Sequence, residues 1–102
     1  MNSIKDYAVF LISPTGIITS WNIGAELMKQ WKPEEIIGKS YAVLFTPEDR
    51  ATGKPQAELD ETKKRGMFEE EHERMRKDGT FFKANVTLTA LYDDNGELYG
   101  FV

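Results

Sequence analysis

Residues 81–92 alternate with period two, and a tight-turn sequence stands at each end of them. Phe82, Ala84, Val86, Leu88 and Ala90 fall on one side of an extended chain. Phe81, Lys83, Asn85, Thr87, Thr89 and Leu91 fall on the other. The first set is wholly apolar, so it faces a core. Lys77-Asp78-Gly79-Thr80 reads as a hairpin turn before this strand. Asp93-Asp94-Asn95-Gly96 reads as another after it, because Asn-Gly takes the positive φ angles that two-residue hairpins need. Residues 67–77 and 97–102 are therefore its antiparallel neighbours. A sheet with one apolar face must be covered by something else in the chain.

The cover comes from the N-terminal two-thirds. Residues 7–13 are apolar, aromatic and β-branched, as in a buried strand. Pro14-Thr15-Gly16 is a turn, and residues 17–21 complete a hairpin. Asn22 is a good N-cap for a helix over 23–31, where Ile23, Leu27, Met28 and Trp31 share one face. Pro33-Glu34-Glu35 opens a short second helix with Ile36 and Ile37 on its apolar side, and Gly38 ends it. Residues 41–45 are apolar and fit either helix or strand. Thr46-Pro47-Glu48-Asp49-Arg50 reads as a turn with a cap-like start. Residues 55–65 read as a charged helix that offers a core only Ala57, Leu59 and the stems of Thr62 and Lys63. Lys63, Lys64 and Arg65 complement its dipole, and Gly66 caps it. The order is two strands, three or four short helices, then three strands. Such a chain is an α+β domain with an antiparallel sheet covered on one face.

The 102 residues make one domain, 1–102. The net charge of −4 argues against nucleic-acid partners and against direct contact with an anionic membrane. There is no cysteine, which removes disulfides, thiolate metal sites and thiol nucleophiles together. The single histidine, His72, excludes any site built on two. No apolar run approaches a membrane span, and the first residues lack the apolar stretch of a signal peptide. A reducing, cytoplasmic setting is the simplest reading. The last residues, Tyr99-Gly100-Phe101-Val102, read as a strand cut in mid-run, so the chain is expected to be a piece of a longer multidomain protein.

Several strings then converge on one family. Asp6 to Asn22 resembles the first hairpin and helix entry of PAS domains. Gly24-Ala25-Glu26 followed by Pro33-Glu34-Glu35-Ile36-Ile37-Gly38-Lys39 is similar to a further stretch of that family. Phe45-Thr46-Pro47-Glu48-Asp49-Arg50 resembles the loop before its long helix. Arg76 to Val86 resembles its Arg-Lys-Asp-Gly hairpin. Each string is weak alone, but together and in order they cover nearly the whole chain. The resemblance implies a five-stranded antiparallel sheet in the order 2-1-5-4-3, with short helices enclosing a possible ligand cavity on one face. It implies a sensory module of a signal-transduction protein, most similar to those of bacterial or archaeal sensor histidine kinases. Such a module couples ligand or partner binding to an output domain of the same polypeptide, commonly as a homodimer. The alternative is a ligand-free interaction and dimerisation module. Fold resemblance fixes neither the ligand nor its presence.

The candidate site residues follow from that cavity. Trp31, Leu44, Phe45 and Phe82 offer apolar walls for a non-covalent flavin or small metabolite, and Asn85 and Thr87 offer hydrogen bonds to its polar edge. The competing reading is that the aromatics only fill the core, and that Asn85 and Thr87 face outwards. A cysteinyl-flavin is ruled out by composition. Haem is disfavoured, because haem-binding relatives use a histidine of the long helix and His72 falls in the third strand. His72 reads as an exposed strand residue. Alternation puts Glu70 with His72 and puts Glu69, Glu71 and Glu73 opposite, which splits any metal cluster, and no metal is expected. Arg50 either clamps an anion or is solvated. No nucleophile–base pair and no phosphate-binding glycine loop stands out, so the chain reads as non-catalytic, whatever the parent protein does.

Overall fold

The computed structural model describes residues 7–102. Seven regular elements follow one another: α1 (Ile23–Lys29), α2 (Pro33–Ile36), α3 (Pro47–Ala51), α4 (Lys54–Arg65), β1 (Met67–Met75), β2 (Phe81–Tyr92) and β3 (Leu98–Phe101). A 3-10 turn, Tyr41–Leu44, lies between α2 and α3.

The three regular strands form an antiparallel sheet in the order β1-β2-β3. β1 and β2 pair in unbroken register from Met67 opposite Thr89 to Met75 opposite Phe81. The alternation of β2 is realised as expected. Leu88 and Ala90 are buried, Phe82, Ala84 and Val86 are half-buried, and Phe81, Lys83, Asn85, Thr87 and Thr89 are exposed. β1 forms the sheet edge, with the glutamates 69, 71 and 73 turned outwards where charge discourages further strand pairing.

The first two expected strands are not regular ones. Residues 7–22 form a ribbon with isolated bridges only, Ile12 to Ile18, Ile12 to Phe101 and Ile17 to Ser40. Side chains replace part of the ladder. The Val9 N–H donates to Asn22 Oδ1 at 2.9 Å and the Leu11 N–H to Ser20 Oγ at 3.0 Å. The ribbon is also only half-buried. Ala8, Phe10 and Ile12 turn inwards, while Tyr7, Val9 and Leu11 are exposed because the helices cover one face alone.

Helix α1 corrects the expected apolar face. It ends at Lys29, with Gln30 in the left-handed region at φ 71. Gly24, Ala25 and Lys29 point inwards, whereas Ile23 and Leu27 are exposed. The rotation is set at the helix start. Asn22 caps Ala25 N through Oδ1, and its Nδ2 donates to the Tyr7 carbonyl, tying the helix to the ribbon. The small Gly24 and Ala25 then permit close approach. Residues 41–45 resolve as the 3-10 turn, capped by Ser40, and 46–51 as helix α3, capped by Thr46. In α4 the inward face is Pro55, Glu58, Leu59 and Thr62, while Ala57 and Lys63 are exposed.

The core gathers Ile12, Ile18, Ile36, Leu44, Phe45, Leu59, Leu88 and Phe101, all nearly solvent-free. It sits between the inner sheet face and the helices, which positions the site below.

Candidate functional site

A cleft of about 870 Å³ opens beside this core. Ala8 and Phe10 of the ribbon form one wall, and residues 82–89 of β2 form the other. Met28 and Lys29 of α1 line it, as do Tyr41 and Leu44 of the 3-10 turn and Arg74 and Arg76 from the end of β1.

The cleft follows the line of β3 past Val102, so its two walls face each other with the backbone edges between which a strand would pair. Thr89 exchanges both backbone hydrogen bonds with Val102, while Ala90 N–H donates to Gly66 O on the β1 side. Antiparallel alternation therefore turns the N–H and C=O of Lys83, Asn85 and Thr87 away from β1. Ile12 likewise exchanges two bonds with Phe101, which turns the same groups of Ala8 and Phe10 towards the cleft. Among the described residues none of these groups has a partner.

The charges lining the cleft are all positive. Lys29, Arg74 and Arg76 contribute side chains to it, Lys83 is exposed on the far sheet face and offers only backbone, and among the described residues no aspartate or glutamate lines it. Lys29 is 6% exposed and its Nζ lies 4.9 Å from the Phe82 ring centre. Burial, reinforced by Arg74 and then Arg76, lowers its pKa from 10.5 to about 8. The Arg76 guanidinium carbon lies 4.5 Å from the same ring centre. Arg76 donates to the Met28, Phe81 and Thr80 oxygens rather than to a carboxylate.

Behind the cleft lies a buried polar network. Arg74 Nη2 donates to Glu58 Oε1 at 3.0 Å and to the Tyr41 hydroxyl at 3.3 Å, and its guanidinium stacks on Phe45 at 3.9 Å. Tyr41 in turn donates to Glu58 Oε1. Burial raises the Glu58 carboxyl above the usual range, with Arg74 and then His72 opposing. Burial likewise lifts the Tyr41 phenol well above its ordinary value. His72 Nε2 lies 3.2 Å from Glu70 Oε1 and 3.6 Å from Glu58 Oε2. The expected exposure of His72 is thus corrected, since its side chain is 10% exposed. The expected dispersal of its carboxylates is corrected too. Strand alternation does separate Glu70 from its neighbours, but helix α4 supplies Glu58, and the donor atoms of Glu58, Glu70 and His72 lie within 4.8 Å of one another.

The six candidate residues divide. Leu44, Phe82, Asn85 and Thr87 line the cleft. Asn85 and Thr87 are exposed on the far sheet face, so they offer the cleft backbone rather than side-chain groups. Thr87 Oγ1 approaches Glu69 on that outer face. Phe45 is fully buried and packs edge-on to Tyr41, outside the cleft lining. Trp31 also lies outside it, half-buried, with the Lys77 ammonium 5.7 Å from its ring centre. Arg50 is exposed and away from the cleft. Sequence reasoning missed Lys29, Tyr41, Glu58, Arg74 and Arg76. The one signal was local: Arg74 has the inward parity of a strand otherwise filled with glutamates.

Comparison with known proteins fits this architecture. The family pattern of the PAS fold matches residues 5–102. The chain belongs to the PAS family. This PAS domain is 46% identical over its 102 residues to two-component system protein A of Emericella nidulans, and spans 15% of that protein's length. Among solved structures, a PAS domain from Colwellia psychrerythraea superposes with a TM-score of 0.83 at 22% identity, covering 92% of this chain and 79% of that one. The PAS domain of a LuxR-family regulator from Burkholderia thailandensis, in complex with ethanol, superposes at 0.73 and 20% identity, covering 92% and 81%. A light-oxygen-voltage domain superposes at 0.76 and 20% identity, covering 92% and 71%. These likenesses establish the fold. The two-component relative ties the family here to signal transduction and sensing. Among the described residues no helix is long and apolar enough to cross a membrane.

Proposed function

We propose that this PAS domain is the sensory module of a longer, multidomain signalling protein of the two-component type, in which small-ligand or partner binding is passed to an output domain of the same polypeptide. The observation that carries this reading is the match of the PAS family pattern to residues 5–102. The 46% identity to a two-component system protein supports the pathway class. A ligand signals only by favouring one of two conformations of the module. The ribbon is the natural carrier of that difference, because it meets the sheet through an incomplete ladder. In the same reading the ribbon supplies the first two strands of the order 2-1-5-4-3, supported by the bridges of Ile12 to both Ile18 and Phe101.

The parent protein is proposed to be a histidine kinase acting in the cytoplasm, with the module itself non-catalytic. Cysteinyl-flavin chemistry is outside its reach, since the chain contains no cysteine. A non-covalent flavin would find Phe82 and Leu44 as walls.

A second reading, a dimerisation module, is favoured by apolar side chains turned away from the core. Val9 and Leu11 are each 41% exposed and Phe81 is 51% exposed. An absorbance spectrum from about 300 to 700 nm, paired with native mass spectrometry, separates the two. Flavin bands or a bound mass on the purified protein support the sensor. A bare-mass dimer that dissociates on Phe81→Glu supports the second reading instead.

A further inference from the structure

We infer that Glu58, Glu70 and His72 form a binding site for a divalent transition-metal ion of the zinc type, bridging helix α4 and strand β1. Donor atoms from the two elements converge there. His72 Nε2 lies 3.2 Å from Glu70 Oε1 and 3.6 Å from Glu58 Oε2. One donor atom from each of the three residues falls within 4.8 Å of the others. Ligands held tetrahedrally at about 2.0–2.2 Å from one zinc ion stand about 3.3–3.6 Å apart. Both distances from His72 Nε2 are close to that spacing. None of the three residues lines the cleft, so the site is separate from it.

A second observation distinguishes this cluster from an ordinary acidic surface. Glu58 Oε2 and His72 Nε2 are both shut off from solvent, and among the described residues neither makes a hydrogen bond. Their side chains are only 3% and 10% exposed. Glu58 Oε1 is engaged by Arg74 and Tyr41, which fixes the carboxylate with Oε2 on the side of His72. Buried polar groups normally have partners, because desolvation is expensive. A cation seated between these atoms would satisfy both at once. A protonated His72 lodged between the two carboxylates would not, since both atoms are left without a hydrogen bond in that arrangement.

The donor set selects the kind of ion. One imidazole and two carboxylates, in a chain without cysteine, suit zinc and its first-row neighbours. Magnesium and calcium prefer oxygen ligands throughout, so the imidazole disfavours them. Arg74 balances the charge of Glu58, and Glu70 supplies the further negative charge that draws a cation. The Glu70 side chain is 42% exposed, which gives the ion a path from solvent and room for a water ligand.

The test is titration of the chelator-dialysed 102-residue chain with zinc chloride, read by calorimetry and by the nitrogen–proton spectrum of imidazole. His72 is the chain's only histidine, so that spectrum reports a single ring. The expected result is one zinc ion per chain, bound tenfold or more tightly than magnesium, with the Nε2 resonance shifted. His72→Gln should abolish this binding. Glu70→Ala, at a partly solvated position that should leave the fold intact by circular dichroism, should weaken it tenfold or more. An Nε2 resonance unmoved at saturating zinc overturns the assignment and leaves His72 as an ion-pair partner of the two glutamates. Zinc affinity left unchanged by either substitution overturns it as well, and marks any observed binding as an adventitious ion only.

Discussion

Arg74 and Glu58 form an ion pair at 3.0 Å with only 2% and 3% of their side chains exposed. Helix α4 and strand β1 are thereby locked to each other, and Tyr41 of the 3-10 turn joins the same carboxylate oxygen. Such a pair is held less by its own attraction than by the cost of orphaning either member. Glu58→Ala or Arg74→Ala should each cost about 3–5 kcal/mol, because each leaves a charge buried without its partner. The double variant that combines Glu58→Leu with Arg74→Met is expected to cost less than either single change. Urea unfolding curves of the three variants measure this. A single-variant cost below about 1 kcal/mol, the range of a solvent-exposed pair, would contradict the burial described.

Lys29 gives a pH dependence of defined sign. Its folded pKa of about 8 lies below the 10.5 of the unfolded chain. Above about 8 the unfolded state therefore holds more protons, so stability rises with pH towards 10.5. The gap amounts to about 3 kcal/mol in total. Tyr41 acts in the opposite sense at the alkaline end, because its phenol ionises more readily in the unfolded chain. The rise is thus best read between about pH 8 and 9.5. Lys29→Met should remove the slope and be more stable than the parent protein at pH 7. Thermal melts across that range, with equal slopes in both proteins, would refute the burial of the charge.

Gly100 sits where the last strand meets the ribbon. At φ 156, a Cβ on this residue would lie 2.6 Å from the Ile12 carbonyl oxygen. Gly100→Ala should push the strand off the ribbon and break the paired bonds between Ile12 and Phe101. A loss of about 1–3 kcal/mol is expected, as for other overpacked sites. Hydrogen exchange should show the Ile12 and Phe101 amides losing protection before those of β1. Unchanged protection at both would argue against the close approach.

Phe45 and Trp31 separate deep packing from shallow. Phe45 is fully buried but does not line the cleft. Phe45→Ala should cost about 3–5 kcal/mol. Trp31→Ala should cost less, since that ring is only half-buried. Equal costs for the two in urea unfolding would contradict this difference in burial.

Much of the frame was written in local pattern. The period-two run of 81–92 predicted which β2 residues are inward, because a strand offers only two sides. The turns at 77–80 and 93–96 predicted its neighbours, because their residues take turn angles at little cost. The caps Asn22, Ser40 and Thr46 sit where a helix start needs an acceptor. Of the walls proposed from sequence, Leu44 and Phe82 line the cleft.

What the sequence could not decide was rotation and company. A helix as short as α1 has no strong preference of its own for which side it buries. Its contact with the ribbon through Asn22 turned Lys29 inwards and left Ile23 and Leu27 outside. The first hairpin shortened to bridges because Ser20 and Asn22 side chains took donors that a ladder would have used. Glu58 and Arg74 are 16 residues apart, and their union depends on how α4 packs across β1. Residue type and spacing determine local conformation, since those energies are set by near neighbours. Which charges are buried together is decided only when distant segments exclude water from the same volume.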